Sequence, residues 1–312
     1  MLDFEALAQP GVARMQAYDP GHDIVALRER FSSEVLVELG GNESPYGCSP
    51  LATTAIQAQL AGLARYPDPL ATRLRRAIAA REGLEATQVL PGNGSHELLM
   101  QLAQAYAGPG TNVVVPQYGF AVHVLAAIAV GADLRRPAAL GVHADMPRGH
   151  DLDAVAAAID PATRLVYLSN PNNPTGTWFP TRELEAFLER VREDVIVVVD
   201  EAYHETVTAP GVPSARSLLG RFANLVVTRT FSKAHGLAAL RVGYALAGAR
   251  LLAPLERLRE SFAVNSLALA AAEAALRDQA HVERFREENR RQRDALAAAL
   301  GELGLAVTPS QT

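Results

Sequence analysis

The stretch EDVIVVVDE, residues 193–201, places five consecutive aliphatic side chains between acidic ones. An unbroken run of this kind suits a parallel strand covered on both faces; a strand wet on one side would alternate. Three further runs read the same way: TNVVVP (111–116), TRLVYLSN (163–170) and NLVVTRTF (224–231). Between them lie amphipathic stretches with helical spacing, HELLMQLAQAYA (96–107), LDAVAAAI (152–159) and TRELEAFLERVR (181–192). The alternation predicts an α/β protein, a three-layer, mostly parallel sheet with helices on both faces.

Beyond Asn265 the texture changes to an almost wholly helical pattern whose polar breaks divide it into two helices. The final LGLAVTPSQT then begins like another strand. This predicts an N-terminal arm over residues 1–38, a large domain over 39–265 and the start of a small α+β domain over 266–312. Two helices with nothing to pack on make a poor second domain, so the small domain is expected to be C-terminally truncated.

The 312 residues carry a formal net charge of -5 without a long run of one sign, which argues against nucleic acid or an anionic membrane as partner. Cys48 is the only cysteine, so no intrachain disulfide forms, as suits a reducing compartment. The opening MLDFEALAQPGVARMQ lacks the features of a secretory signal, and no apolar stretch is long enough to span a bilayer. A soluble, cytoplasmic protein is expected, and no metal-binding pattern stands out.

Four features at or near predicted strand ends carry chemistry, and ligands in open parallel sheets bind outside those ends. PGNGSHELL (91–99) reads as a tight glycine turn, with Ser95 as a cap, opening a helix whose N–H groups suit a phosphate. SNPNNPTGT (169–177) is a rigid asparagine-proline turn able to hold an amide against a ligand, or simply a turn. Asp200 ends the buried run and requires a cation or donor: an arginine would make a structural ion pair, a protonated ring nitrogen a functional one. Tyr203 follows three residues later. Lastly, TRTFSKAHGLAALRVGY (228–244) contains Lys233, the only lysine among 29 basic side chains. Arginine stays protonated, whereas a desolvated lysine amine can act as a nucleophile and form a Schiff base. Ser232 and Arg241 can supply a hydroxyl and a guanidinium to a phosphate.

Together the four describe a ligand with a phosphate, a basic ring nitrogen and a carbonyl, and pyridoxal 5'-phosphate has those three handles. GNGSHE, NPNNPTG, DEAY and RTFSKAHGLAALRVGY, in this order, also resemble the fold-type I, class I/II aminotransferases, in particular the histidinol-phosphate aminotransferase branch. GGNESPYG (40–47), RYPDP (65–69), PQYGF (116–120), AVNSLA (263–268) and PSQT (309–312) share the resemblance, which runs from about residue 38 to the last. It implies a transaminase of amino-acid biosynthesis that moves an amino group from histidinol phosphate or an amino acid to 2-oxoglutarate. Lys233 would be the Schiff-base lysine, Asp200 the partner of the ring nitrogen, and Asn173 and Tyr203 donors to the phenolic oxygen. Tyr118 would stack on the ring; Ser232, Arg241 and the backbone at Gly94, Ser95 and His96 would hold the phosphate. Tyr66 would reach the cofactor of a second subunit, which implies a homodimer.

His96 and Ala239 replace the aspartate and glycine usual in the family, and a neutral His96 is expected because an imidazolium would oppose the helix dipole. The family's strands beyond PSQT, with their substrate-binding arginine, are absent, so weak cofactor binding and low turnover are expected of this chain. A related phospho-amino-acid decarboxylase, or a cofactor-binding domain with little turnover, are the competing readings.

Overall fold

The computed structural model describes residues 4–15, 24–31, 37, 39–210, 212 and 214–312. The predicted N-terminal arm therefore lies in good part outside the described residues. The strands are β1 (Val89–Gly92), β2 (Asn112–Val114), β3 (Asp133–Arg135), β4 (Thr163–Ser169), β5 (Ile196–Asp200), β6 (Leu225–Thr230) and β7 (Gly243–Ala247). They form one sheet in the order β1-β7-β6-β5-β4-β2-β3. Pairs from β3 across to β6 are parallel, and β7 runs antiparallel to both β6 and β1.

β1, β3 and β7 lie outside the four predicted runs. β3 is a three-residue edge without full burial, and β7 reads GYALA, small residues rather than a branched run. Pro91 in β1 removes a ladder donor, which an edge position tolerates.

The helices are α1 (Pro10–Ala13), α2 (Ile24–Phe31), α3 (Pro50–Gln59), α4 (Thr72–Glu82), α5 (Gly94–Tyr106), α6 (Ala121–Ala129), α7 (Leu152–Ala157), α8 (Thr181–Leu188), α9 (Ala249–Leu258), α10 (Ser266–Arg277) and α11 (Gln279–Glu302). They cover both faces of the sheet, because the apolar strands alternate between two cores. Leu165, Tyr167, Val198 and Val226 pack on one side with residues of α5, α6 and α9. Val166, Leu168, Val197, Val199 and Val227 pack on the other with residues of α4, α8 and α10. Each fully buried valine contributes roughly 1.5 kcal/mol or more, so the central strands are the rigid part of the molecule. Ala268, Ala271, Ala272 and Ala275 of α10 join that second core beside Ala52, Leu74 and Ile78, the small side chains letting α10 and α3 approach closely.

The same alternation decides the polar residues at the strand ends. Asp200 continues the Ile196–Val198 side of β5, whereas Glu201 continues the Val197–Val199 side. Residues 303–312 leave α11 as an extended tail, and no strand occurs among the described residues from 266 onward. No helix of the described chain is long and apolar enough to cross a membrane.

Candidate active site

β4, β5 and β6 end side by side, with Ser169 opposite Asp200 and Asp200 opposite Thr228. Beyond those ends opens a cavity of about 440 Å3, whose walls include Lys233, Asp200, Tyr203, Asn173, Ser95 and Arg241. His96 and Ser232 also line it. Eight of the residues singled out from sequence thus meet in one space, although they come from four separate stretches of chain.

Lys233 is half-buried on the loop after β6. Its Nζ donates to the Gly41 carbonyl at 2.8 Å and lies 5.7 Å above the centre of the Tyr203 ring. Burial holds its pKa below the ordinary lysine value; Glu43 opposes the shift and Arg241 adds to it. All three influences act on the same equilibrium, and the net direction favours the neutral, nucleophilic amine.

Asp200 is 4 % exposed, and Thr228 Oγ1 donates to its Oδ1 at 3.1 Å. His123 Nε2, on α6, stands 3.5 Å from Oδ2, and the His123 ring stacks on Tyr167 at 4.8 Å between centroids. The arginine that would have made Asp200 a structural ion pair is elsewhere. Arg229 points to the opposite face of the sheet, where it pairs with Glu201 and Glu82 at 3.0 Å each. Among the described residues no arginine forms an ion pair with Asp200.

Tyr203 Oη accepts from Asn42 Nδ2 at 3.0 Å and from Asn173 Nδ2 at 3.4 Å, so the asparagine-proline turn and the loop after β5 meet at this hydroxyl. Asn172, next in the turn, is fixed by donating to the Tyr118 carbonyl and to Thr175 Oγ1.

The opening of α5 supplies the third element. Here the structure corrects one expectation: the helix starts at Gly94, so Ser95 sits inside the first turn and does not cap it. Asn93, at the cap position, makes no side-chain cap bond, and the N–H groups of a helix's first turn are of the kind that suits an anion. Gly94 has φ +82°, and a Cβ there would fall 2.6 Å from Arg241 Nη2. Glycine therefore lets the guanidinium stand directly against the helix start. Arg241 Nη1 donates to Ser232 Oγ at 3.4 Å and to the Ala238 carbonyl at 3.0 Å. Among the described residues neither Arg241 nor Lys233 forms an ion pair with a carboxylate. Partial burial and the Arg241 guanidinium hold the His96 imidazole below its ordinary pKa, the direction expected at a helix start.

Of the predicted residues, Gly94 stands just behind the wall, against Arg241, and two tyrosines lie outside this cavity. Tyr118 is 36 % exposed, and its neighbour Phe120 lines the wall instead. Tyr66 is 82 % exposed and stacks on Phe262 at 4.4 Å. Sequence reasoning assigned no role to His123, Ser169, Asn42 or Glu43. The signal for His123 was a lone polar residue in the apolar helix AVHVLAAIA; for Asn42 and Glu43 it was the glycine-rich GGNESPYG.

One cavity thus combines a partly desolvated amine, a buried carboxylate and a set of anion donors. The whole chain agrees with that chemistry. Residues 34–312 match the family model described as aminotransferase class I and II. The chain is 46 % identical to histidinol-phosphate aminotransferase 2 of Pseudomonas aeruginosa over 100 % of its own length and 83 % of that protein's. It is 41 % identical to histidinol-phosphate aminotransferase 2 of Methylococcus capsulatus, over 99 % and 83 %. Among solved structures, histidinol-phosphate aminotransferase from Sinorhizobium meliloti, in complex with pyridoxal-5'-phosphate, superposes with a TM-score of 0.88 at 29 % identity, over 98 % of this chain and 80 % of that one. Aspartate aminotransferase from Thermus thermophilus, with maleate, superposes with a TM-score of 0.82 at 26 % identity, over 99 % and 83 %. With its sheet, its cavity and nearly its full length in agreement, this chain belongs to the class I and II aminotransferases.

Proposed function

We propose that this chain transfers an amino group between histidinol phosphate, or a related amino donor, and 2-oxoglutarate, using pyridoxal 5'-phosphate held on Lys233. The observation that carries the reading is the convergence of Lys233, Asp200 and the Arg241–α5 anion site on one cavity at the strand ends. The residues suit that cofactor. Arg241 and the start of α5 suit a phosphate, the Gly94 cradle would be filled by any Cβ, and among the described residues the buried Asp200 carboxylate has no arginine or lysine ion pair, only His123 Nε2 at 3.5 Å.

Bound there, pyridoxal phosphate supplies a reactive carbonyl and an electron-accepting ring. Each protein group then has a task set by its own chemistry. Asp200, buried beside Thr228, would keep a proton on the ring nitrogen, an interaction strengthened by removal from water. Asn173 and Tyr203 would donate to the phenolic oxygen, while Ser232, Arg241 and the N–H groups of Gly94, Ser95 and His96 would anchor the phosphate. Tyr118, which lies outside the cavity, would have to turn inward to stack on the ring. Lys233, whose amine is shifted towards the neutral form by burial, would be the residue to hold the carbonyl carbon and to carry the proton at the substrate α-carbon.

The exposed Tyr66 suits a homodimer in which it reaches the phosphate of the second subunit's cofactor. The test is glutamate formation from 2-oxoglutarate with histidinol phosphate as donor. Glutamate that depends on Lys233 supports the proposal; glutamate formed equally by Lys233→Ala contradicts it.

A further inference from the structure

The tail motif PSQT has no part in the site as described, yet its contacts run straight to it. Gln311 Oε1 accepts from the backbone N–H groups of Thr208 and Ala209, both at 2.9 Å, and from Thr208 Oγ1 at 3.2 Å. The Gln311 N–H donates in the other direction, to the Gly176 carbonyl at 3.3 Å. Gly176 has φ +70°, and a Cβ there would collide with the Ser310 side chain, so the turn and the tail are fitted to each other. One residue therefore ties the turn bearing Asn173 to the loop that follows Tyr203.

The links are short on both sides. Gly176 N–H donates to the Asn172 carbonyl at 2.8 Å, next to Asn173. Thr206 donates to the Tyr203 carbonyl through both its N–H, at 3.0 Å, and its Oγ1, at 2.6 Å. Between the two loops, Asn173 Nδ2 reaches Tyr203 Oη at the longer distance of 3.4 Å. A contact that long is weak by itself.

We propose that Gln311 is a positioning residue that holds Asn173 and Tyr203 in register, so that both donors address the same oxygen of the bound cofactor. The inference rests on the aminotransferase reading above. The essential atom is the side-chain oxygen, an acceptor for two backbone donors that have no other backbone acceptor among the described residues.

The test compares the 312-residue chain with Gln311→Ala and Gln311→Glu, the latter keeping an acceptor oxygen at the same reach. In Gln311→Ala, hydrogen exchange of the Thr208 and Ala209 amides should quicken. Affinity for pyridoxal phosphate, followed by visible absorbance, should fall about tenfold as the contacts of Asn173 and Tyr203 loosen. The absorption maximum of the bound cofactor should shift, because the two donors act on its chromophore. Gln311→Glu should restore all three properties. An alanine variant with unaltered affinity and spectrum, or a glutamate variant that behaves like alanine, overturns the positioning role while the cofactor assignment stands. If the unaltered chain binds no pyridoxal phosphate, the underlying reading falls and this inference with it.

Discussion

Replacing Arg229 by methionine removes the only cation between two buried carboxylates described here, and the consequence can be worked from the structure. Arg229 Nε meets Glu201 Oε2 at 3.0 Å, Nη1 meets Glu82 Oε1 at 3.0 Å, and the three side chains are 6 %, 3 % and 6 % exposed. Breaking a buried pair by deleting one partner costs about 3–5 kcal/mol. Glu201 would keep Ser214 Oγ and the Ala215 N–H, both at 2.6 Å, and Glu82 would keep Arg216 at 3.4 Å. Those surviving partners place the loss near the lower end, about 3 kcal/mol, still a large share of the roughly 5–15 kcal/mol that stabilises a typical domain.

The pH dependence sharpens the test. Burial pushes the Glu201 carboxyl up, but Arg229, His204 and the bonds from Ser214 and Ala215 outweigh it and hold the pKa below its ordinary 4.5. A lowered folded-state pKa gives stability that is present above 4.5 and is lost as pH falls through the lower folded value. Without Arg229 the leading influence that opposes burial is gone, so the Glu201 carboxyl moves back up and acid should penalise the variant less. Urea denaturation of both proteins at neutral pH and near 4.5 measures the difference. The gap should be about 3 kcal/mol at neutral pH and should narrow in acid. A gap below about 1 kcal/mol, or one that does not change with pH, refutes the reasoning.

Asp200→Asn should still bind pyridoxal phosphate but slow half-transamination on the order of a hundredfold, about 3 kcal/mol; near-normal single-turnover rates would assign the carboxylate a structural role. Gly94→Ala should lower melting only by the left-handed backbone penalty of about 1 kcal/mol, since the arginine tip it meets can swing away. That displacement should weaken binding of pyridoxal phosphate about tenfold in an absorbance titration, and unchanged affinity would place the phosphate elsewhere.

Much of the sheet was legible in the sequence because burial on both faces leaves a strong mark: EDVIVVVDE became β5, with Val197, Val198 and Val199 fully buried. β1, β3 and β7 were not legible. Their residues gain strand geometry from neighbours, and GYALA, flanked by Val242 and Gly248, has no long branched run to distinguish it from a loop. At the site, residue types that chemistry makes rare were legible, above all the sole lysine and an aspartate ending an apolar strand. Ser95 was misread as a cap because the two-residue shift of the helix start depends on Gly94 and its contact with Arg241, which only the tertiary structure shows. His123 lies 77 positions before Asp200 in the chain, and no local pattern tells that α6 turns it towards the end of β5. Its position became readable only from the order of the strands.

The central claim, that Lys233 is the residue holding the cofactor, is tested most directly by trapping. The chain is loaded with pyridoxal phosphate, reduced with borohydride, digested and mapped by mass spectrometry. The account predicts loss of the visible absorbance on reduction and a pyridoxyl group on the peptide containing Lys233, with neither in Lys233→Arg, because a guanidinium does not offer the neutral amine. A label confined to the N-terminal amine, or one that persists in Lys233→Arg, would contradict it.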